Sequence, residues 1–219
     1  MHLRATVFDM DGLLIDSEVL WHVAELEIFG ELGVPLEEAD RSTKGMYVDE
    51  VVRYWYGRYP WSGPTPDQVV ARLLGRVGDL IEERGRLLPG AERAIEMARA
   101  RGAVALASST PRPLIHRALD HFGLREDFAV IRSADAEDFG KPHPAVFLSA
   151  ARALDVAPTD CLVFEDSALG VIAARAARMR VVAVPAASDA ALPEFALADL
   201  VLSSLADLDE PWLDEAFGR

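Results

Sequence analysis

The sequence predicts an α/β protein, a parallel sheet covered by helices on both faces and interrupted after its first strand by an all-helical insert. Three observations carry this. The chain opens on a short apolar, β-prone run, Ala5 to Phe8, which must end where two carboxylates and a glycine arrive together in Asp9-Met10-Asp11-Gly12. From about Asp16 to Leu88 only helical spacing and loops follow. From Ala91 onward, strand patterns alternate with helical patterns of ten or so residues, the signature of βαβ crossovers in a parallel sheet.

The elements follow in order. Glu18 to Leu32 carries Leu20, Trp21, Ala24, Ile28 and Leu32 at helical spacing, with Gly33 as a stop. A second helix spans Asp49 to Tyr56. The stretch Arg58 to Pro66 then breaks the chain with Pro60, Gly63, Pro64 and Pro66. A third helix covers Pro66 to Arg84. Pro89-Gly90 punctuates the return to the alternating part. There the expected order is helix Ala91 to Arg101, strand Ala103 to Ala107, helix Arg112 to Phe122, strand Ala129 to Arg132 and a helix from Lys141-Pro142-His143-Pro144 to Leu154. Strand Leu162 to Phe164, helix Ala168 to Ala177, strand Val181 to Val184 and an edge strand at Leu200 to Leu202 complete it.

With 219 residues and 51% hydrophobic content the chain can bury a full core, and two unequal domains are expected. A net charge of -14 argues against nucleic acid or an anionic membrane surface as partner, since both demand basic patches. No apolar run approaches a membrane span, and the start shows no signal-peptide pattern. The single Cys161, in an apolar stretch, permits no disulfide framework and suits a reducing cytoplasm. A monomer is expected. Of the 22 basic residues only Lys44 and Lys141 are lysines, so lysine stands where a compact point charge is wanted or has simply survived on the surface.

The polar residues of interest fall on one side of the alternation. Asp9 and Asp11 follow the first strand, Ser108 the second, and Glu165 and Asp166 a later one. Parallel strands point the same way, so these loops converge on the carboxyl edge of the sheet, where open α/β folds bind ligands. Lys141 opens a helix, yet its long side chain can reach the same edge. Each residue has an ordinary alternative. Asp-x-Asp-Gly is turn chemistry, and Asp16 or Ser17 can cap the next helix. Ser108 to Thr110 before Pro111 makes a good N-cap, Lys141 a solvated loop cation, and Glu165-Asp166-Ser167 a capping cluster.

Jointly the set suits phosphoryl transfer. Two carboxylates one residue apart, with a carbonyl between them, can serve one hard cation such as Mg²⁺. One carboxylate can attack phosphorus while a second handles the proton of the leaving alkoxide and of the attacking water. A hydroxyl beside helix N-terminal amides cradles phosphate, and lysine with Mg²⁺ neutralises charge on the transferring group.

Asp9-x-Asp11-Gly12 with Asp16-Ser17-Glu18, then Ser108, Lys141-Pro142 and Glu165-Asp166-Ser167-x-x-Gly170, resemble in order the four motifs of the haloacid dehalogenase superfamily of phosphatases. The resemblance spans nearly the whole chain and is nearest to the branch with a helical cap shared with β-phosphoglucomutase. It implies a Rossmann-like catalytic core over residues 1–15 and 89–219 and a cap over 16–88, hinged near Leu14 to Asp16 and Leu88 to Gly90. It also implies Asp9 as nucleophile, Asp11 as general acid/base and Ser108, Ser109 and Lys141 around the phosphate. Mg²⁺ would be held by Asp9, the Asp11 carbonyl and Asp166, with Glu165 a further or water-mediated ligand. Lys44, in Thr43-Lys44-Gly45-Met46, falls where the family's cap meets substrate and joins the substrate-binding set. Val52 to Thr65 and Ala176 to Arg180 are similar to segments of the family's bacterial phosphatases of 2-deoxyglucose 6-phosphate and hexitol phosphates, implying a small phosphorylated sugar or polyol as substrate.

Three other readings stay open. A hexose phosphate mutase would use the same aspartyl phosphate. The mutases carry a histidine aligned with Trp21, whereas here His22 lies one place on, turned about 100° around the helix. A phospho-acceptor receiver places similar residues at strand ends but has no use for the insert. A non-catalytic binding module has no need of both Asp9 and Asp11.

Overall fold

The computed structural model describes residues 3–36 and 46–218 and divides the chain into two compact units, Met1–Ile15 with Leu87–Arg219, and Asp16–Arg86.

The first unit is built on a six-stranded, wholly parallel sheet in the order β3-β2-β1-β4-β5-β6. Its strands are β1 (Ala5–Phe8), β2 (Ala103–Ser108), β3 (Val130–Ser133), β4 (Cys161–Glu165), β5 (Arg180–Ala183) and β6 (Leu200–Val201). The two central strands, β1 and β4, are buried along their whole length. That is why, Thr6 and the terminal Glu165 aside, they read as apolar runs with no alternation. The rings of Phe8 and Phe164 stack across this pair, with centroids 4.8 Å apart. The helices of this unit are α4 (Ala91–Arg99), α5 (Arg112–Phe122), α6 (Ala145–Ala153), α7 (Ala168–Ala176) and α8 (Glu210–Phe217). The chain lays β2 and β3 outward on one side of β1, then returns to place β4, β5 and β6 on the other. The crevice at the carboxyl ends of β1 and β4 is therefore a topological switch point.

The second unit holds α1 (Glu18–Glu31), α2 (Val48–Arg58) and α3 (Pro66–Arg84). Its core gathers Phe29, Trp55, Trp61, Val69, Leu73 and Val77. Rings of Trp55 and Trp61 lie 6.3 and 6.2 Å from that of Phe29. Pro66 at the first position of α3 and a Thr65/Gln68 capping box fix where this helix starts. Outside the core, Arg76 pairs with Glu27 at 2.6 Å and Arg72 with Glu31, both at exposed positions where such pairs add little stability.

Two departures from the sequence expectation matter for the site. Strands β2 and β4 each run one residue further than their apolar pattern, because Ser108 pairs with Ser133 and Glu165 with Ala183. Ser108 and Glu165 are thus final strand residues, held in direction by the ladder. The C-terminal helix α8, which periodicity did not single out, buries Leu213, Ala216 and Phe217.

Candidate active site

Asp9 directly follows Phe8, which pairs with Leu106 on one side and Phe164 on the other. Continuing that register by one residue puts Asp9 in a row with Ala107 and Glu165. The Asp9 amide donates to the Phe164 carbonyl at 3.0 Å, so its backbone is fixed before the side chain is considered. The carboxylate is 6% exposed.

Lys141 reaches this row from the turn before α6. Its ammonium donates to Asp9 Oδ1 at 2.6 Å, to Glu165 Oε1 at 2.5 Å and to the Ala107 carbonyl at 3.4 Å. The Phe147 ring of α6 lies 5.0 Å from the ammonium nitrogen and closes another side. The Lys141 side chain is 5% exposed, so it is no solvated loop cation. Burial alone would lower its pKa, but Asp9 and Glu165 outweigh burial and hold the ammonium charged, above the ordinary lysine range. Burial pushes the Asp9 carboxyl up to about 8. Lys141 pulls it down, and Glu165 and Asp11 add to the rise.

Gly12, at a φ of 73°, turns the chain back after Asp11, and its amide donates to the Ile15 carbonyl at 2.9 Å. Half-buried Asp11 is directed toward the end of β2. Its Oδ2 accepts from Thr110 Oγ1 at 2.7 Å and from Ser108 Oγ at 3.3 Å, and the Thr110 amide donates to Ser108 Oγ at 3.0 Å. Capping is not what these hydroxyls do: α5 has Pro111 at its N-cap and no side-chain cap, and the Arg112 amide donates to Asp135 Oδ2 at 3.0 Å. Ser109 follows Ser108 at a half-buried position.

The Glu165 carboxylate is fully buried. Its Oε2 accepts from both the amide and the hydroxyl of Ser167, each at 2.9 Å. Ser167 also caps α7, accepting from the Gly170 amide at 3.0 Å, so capping and site geometry share one residue. Gly170 leaves the space Glu165 occupies: a Cβ there would stand 1.8 Å from Glu165 Oε1.

Asp9, Glu165 and the 6% exposed Asp166 bring one carboxylate oxygen each within 4.8 Å of one another. Three buried acids, two of them paired with one ammonium, and with the Asp9 carboxyl pushed upward by burial, make a donor set of hard oxygens that fits a metal ion such as Mg²⁺. The Asp11 side chain is turned to Ser108 and Thr110, away from the oxygens that these three acids bring together. Lys44 lies outside the described residues. Sequence reasoning did not single out Thr110, Phe147 or Ser167 as partners. The signal available for Thr110 was its place two residues after Ser108, where it reads equally well as a helix cap.

No helix among the described residues is long and apolar enough to cross a membrane. Residues 3–178 match the family model for haloacid dehalogenase-like hydrolases. The chain is 44% identical over 209 residues to hexitol phosphatase B of Escherichia coli (strain K12), covering 94% of each protein. It resembles the crystal structure of CbbY from Rhodobacter sphaeroides in complex with phosphate, with a TM-score of 0.82 and 31% identity over 94% of this chain and 96% of that one. The fold also matches β-phosphoglucomutase from Clostridium difficile, with a TM-score of 0.84 at 24% identity over 99% and 97% of the two chains. With its buried carboxylates and lysine at the sheet's switch point, the chain belongs to the haloacid dehalogenase-like hydrolase family, and it is a phosphoric monoester hydrolase rather than a receiver or binding module.

Proposed function

We propose that this enzyme is a Mg²⁺-dependent phosphatase of small sugar or sugar-alcohol phosphates that works through an aspartyl phosphate on Asp9. The observation that carries the chemical part is the Lys141 ammonium, 2.6 Å from Asp9 and 2.5 Å from Glu165, which pulls the Asp9 carboxyl back toward its charged form against burial and aims it in a buried site. The substrate class rests on the 44% identity to hexitol phosphatase B across 94% of the chain.

An Asp9 carboxylate oxygen attacks phosphorus as the bond to the sugar oxygen breaks, and Asp11 gives its proton to that oxygen so that a neutral alcohol leaves. Asp11, now a carboxylate, takes a proton from water as the water oxygen attacks the phosphorus of the aspartyl phosphate. Inorganic phosphate departs and Asp9 is restored. Ser108, with Ser109 beside it, donates to the non-bridging oxygens, and Lys141 offsets their charge. Asp9, Asp166 and the Asp11 carbonyl would hold Mg²⁺, which would supply charge neutralisation at the transferring phosphoryl group. Glu165, whose oxygens already accept from Lys141 and Ser167, anchors the lysine and would serve the ion as a further or water-mediated ligand.

The test is phosphate release with Mg²⁺ from a panel of hexose, deoxyhexose and hexitol phosphates. Release that vanishes in Asp9→Asn and on chelation supports the reading. Interconversion of β-glucose 1-phosphate and glucose 6-phosphate without release makes the enzyme a mutase instead.

A further inference from the structure

The family motifs account for Ser108 and Lys141 but leave Thr110 without a part. Yet its hydroxyl makes the shortest hydrogen bond that reaches the Asp11 carboxylate from β2 or its loop, 2.7 Å to Oδ2. Thr110 is 6% exposed, and its backbone is held from two sides. Its carbonyl accepts from the Ser133 hydroxyl at 2.7 Å, and its amide donates to Ser108 Oγ at 3.0 Å. The side chain thus projects from a fixed point onto one oxygen of Asp11.

Ser108 cannot do this work while it serves phosphate. A serine hydroxyl has one proton and can donate it to one acceptor at a time. Its 3.3 Å approach to Asp11 is already long for an O–H···O bond. When Ser108 turns its proton to a phosphate oxygen, the Thr110 hydroxyl still holds Asp11 Oδ2. That bond also settles where the moving proton rides. An oxygen accepting from Thr110 is the poorer place for a proton, so the proton passed to the leaving group sits on Oδ1.

We propose that Thr110 is a positioning residue for proton transfer, its hydroxyl holding Asp11 Oδ2 so that Oδ1 carries the proton to the leaving alkoxide. The proposal rests on the reading of Asp11 as the proton carrier. It makes a specific kinetic claim: Thr110 matters in proportion to the leaving group's need for a proton. A hexitol phosphate must expel a basic alkoxide, whereas 2,4-dinitrophenyl phosphate expels a stable anion that needs none.

The experiment compares kcat/KM for sorbitol 6-phosphate and 2,4-dinitrophenyl phosphate in wild type, Thr110→Val, Thr110→Ser, Asp11→Asn and the double variant Asp11→Asn/Thr110→Val. Using kcat/KM confines the reading to phosphoenzyme formation and leaves out the later hydrolysis, which both substrates share. Valine keeps the size of threonine and both backbone bonds, and Thr110→Ala serves the same comparison where valine crowds the site. Thr110→Val is expected to lower the sorbitol-to-aryl ratio by roughly tenfold or more, the scale of one lost hydrogen bond to a charged group. Thr110→Ser restores the ratio, and the double variant is no more skewed than Asp11→Asn alone. If Asp11→Asn skews the ratio while Thr110→Val and Thr110→Ala lower both substrates equally or not at all, the role of Thr110 is overturned and that of Asp11 stands. If Asp11→Asn does not skew the ratio, the proton role of Asp11 fails and the proposal with it.

Discussion

The Nζ of Lys141 lies 2.6 Å from Oδ1 of Asp9, although 132 residues separate them in the chain. The same nitrogen lies 2.5 Å from Glu165 Oε1, so one buried cation is shared by two buried carboxylates, one just past the end of β1 and one at the end of the adjacent β4. Removing it should hurt twice. Lys141→Met leaves Asp9 and Glu165 facing each other without a counter-charge, and breaking a buried pair in this way costs about 3–5 kcal/mol. Urea unfolding of the metal-free protein should show a loss of that order. Phosphatase kcat should fall by about 10²- to 10³-fold, as it does when a charge-stabilising donor is removed from a reacting site. An unchanged unfolding midpoint would mean that the lysine is not the counter-charge.

Gly170 offers a prediction whose sign separates two effects. It lies within α7, where alanine is favoured over glycine by up to about 1 kcal/mol on helix propensity. A Cβ at this position would, however, stand 1.8 and 1.9 Å from Oε1 and Cδ of Glu165. Overpacking of that kind costs roughly 1–3 kcal/mol and should push Glu165 away from Lys141. Gly170→Ala is therefore expected to destabilise the protein and to weaken Mg²⁺ activation. Stabilisation by alanine would show that Glu165 does not rest where the structure puts it.

The acid cluster links stability to pH. Burial raises the Asp9 carboxyl from 3.8 to about 8, so between these values the folded metal-free protein binds a proton that the unfolded chain does not. The stability this proton contributes is then fully present below about pH 4 and is lost as pH rises toward 8. A divalent cation that displaces this proton reverses the trend. The rise in melting temperature on adding Mg²⁺ should be larger at pH 8 than at pH 6, which thermal scans at fixed ionic strength can check. An equal rise at both would argue against a proton on Asp9.

Cys161 opens β4 at the centre of the sheet, buried, with its thiol pushed up to about 12 by burial and then by Asp160. A thiol of that kind is inert. The folded protein should leave iodoacetamide unreacted at pH 8 and take up one equivalent in denaturant, read by intact mass. Rapid labelling of the native protein would contradict the burial.

Much of this was legible in the sequence, and its gaps have physical causes. The continuous apolar runs Ala5 to Phe8 and Leu162 to Phe164 announced buried parallel strands. Acids immediately after them could only fall on the sheet's carboxyl edge. Lys141 stood out because arginine fills nearly every other cationic position. The strand ends at Ser108 and Glu165 did not, because a polar residue at a strand's last position looks like the first residue of a loop. Only pairing with Ser133 and Ala183 decides it. Nor could spacing tell that Thr110 bonds Asp11 at 2.7 Å instead of capping α5. That contact depends on where β1 and β2 end relative to one another, which is a matter of register.

The central claim is a covalent one, and trapping the intermediate tests it most directly. Asp11→Asn protein, which should form the aspartyl phosphate from 2,4-dinitrophenyl phosphate with Mg²⁺ but hydrolyse it slowly, can be quenched in acid and mapped by mass spectrometry. The account predicts one added phosphoryl group on the peptide containing Asp9, labile to hydroxylamine and absent when Asp9 is also changed to Asn. A phosphoryl group on Ser108 or any other residue, or phosphate release at wild-type rate from an Asp9→Asn enzyme, would contradict it.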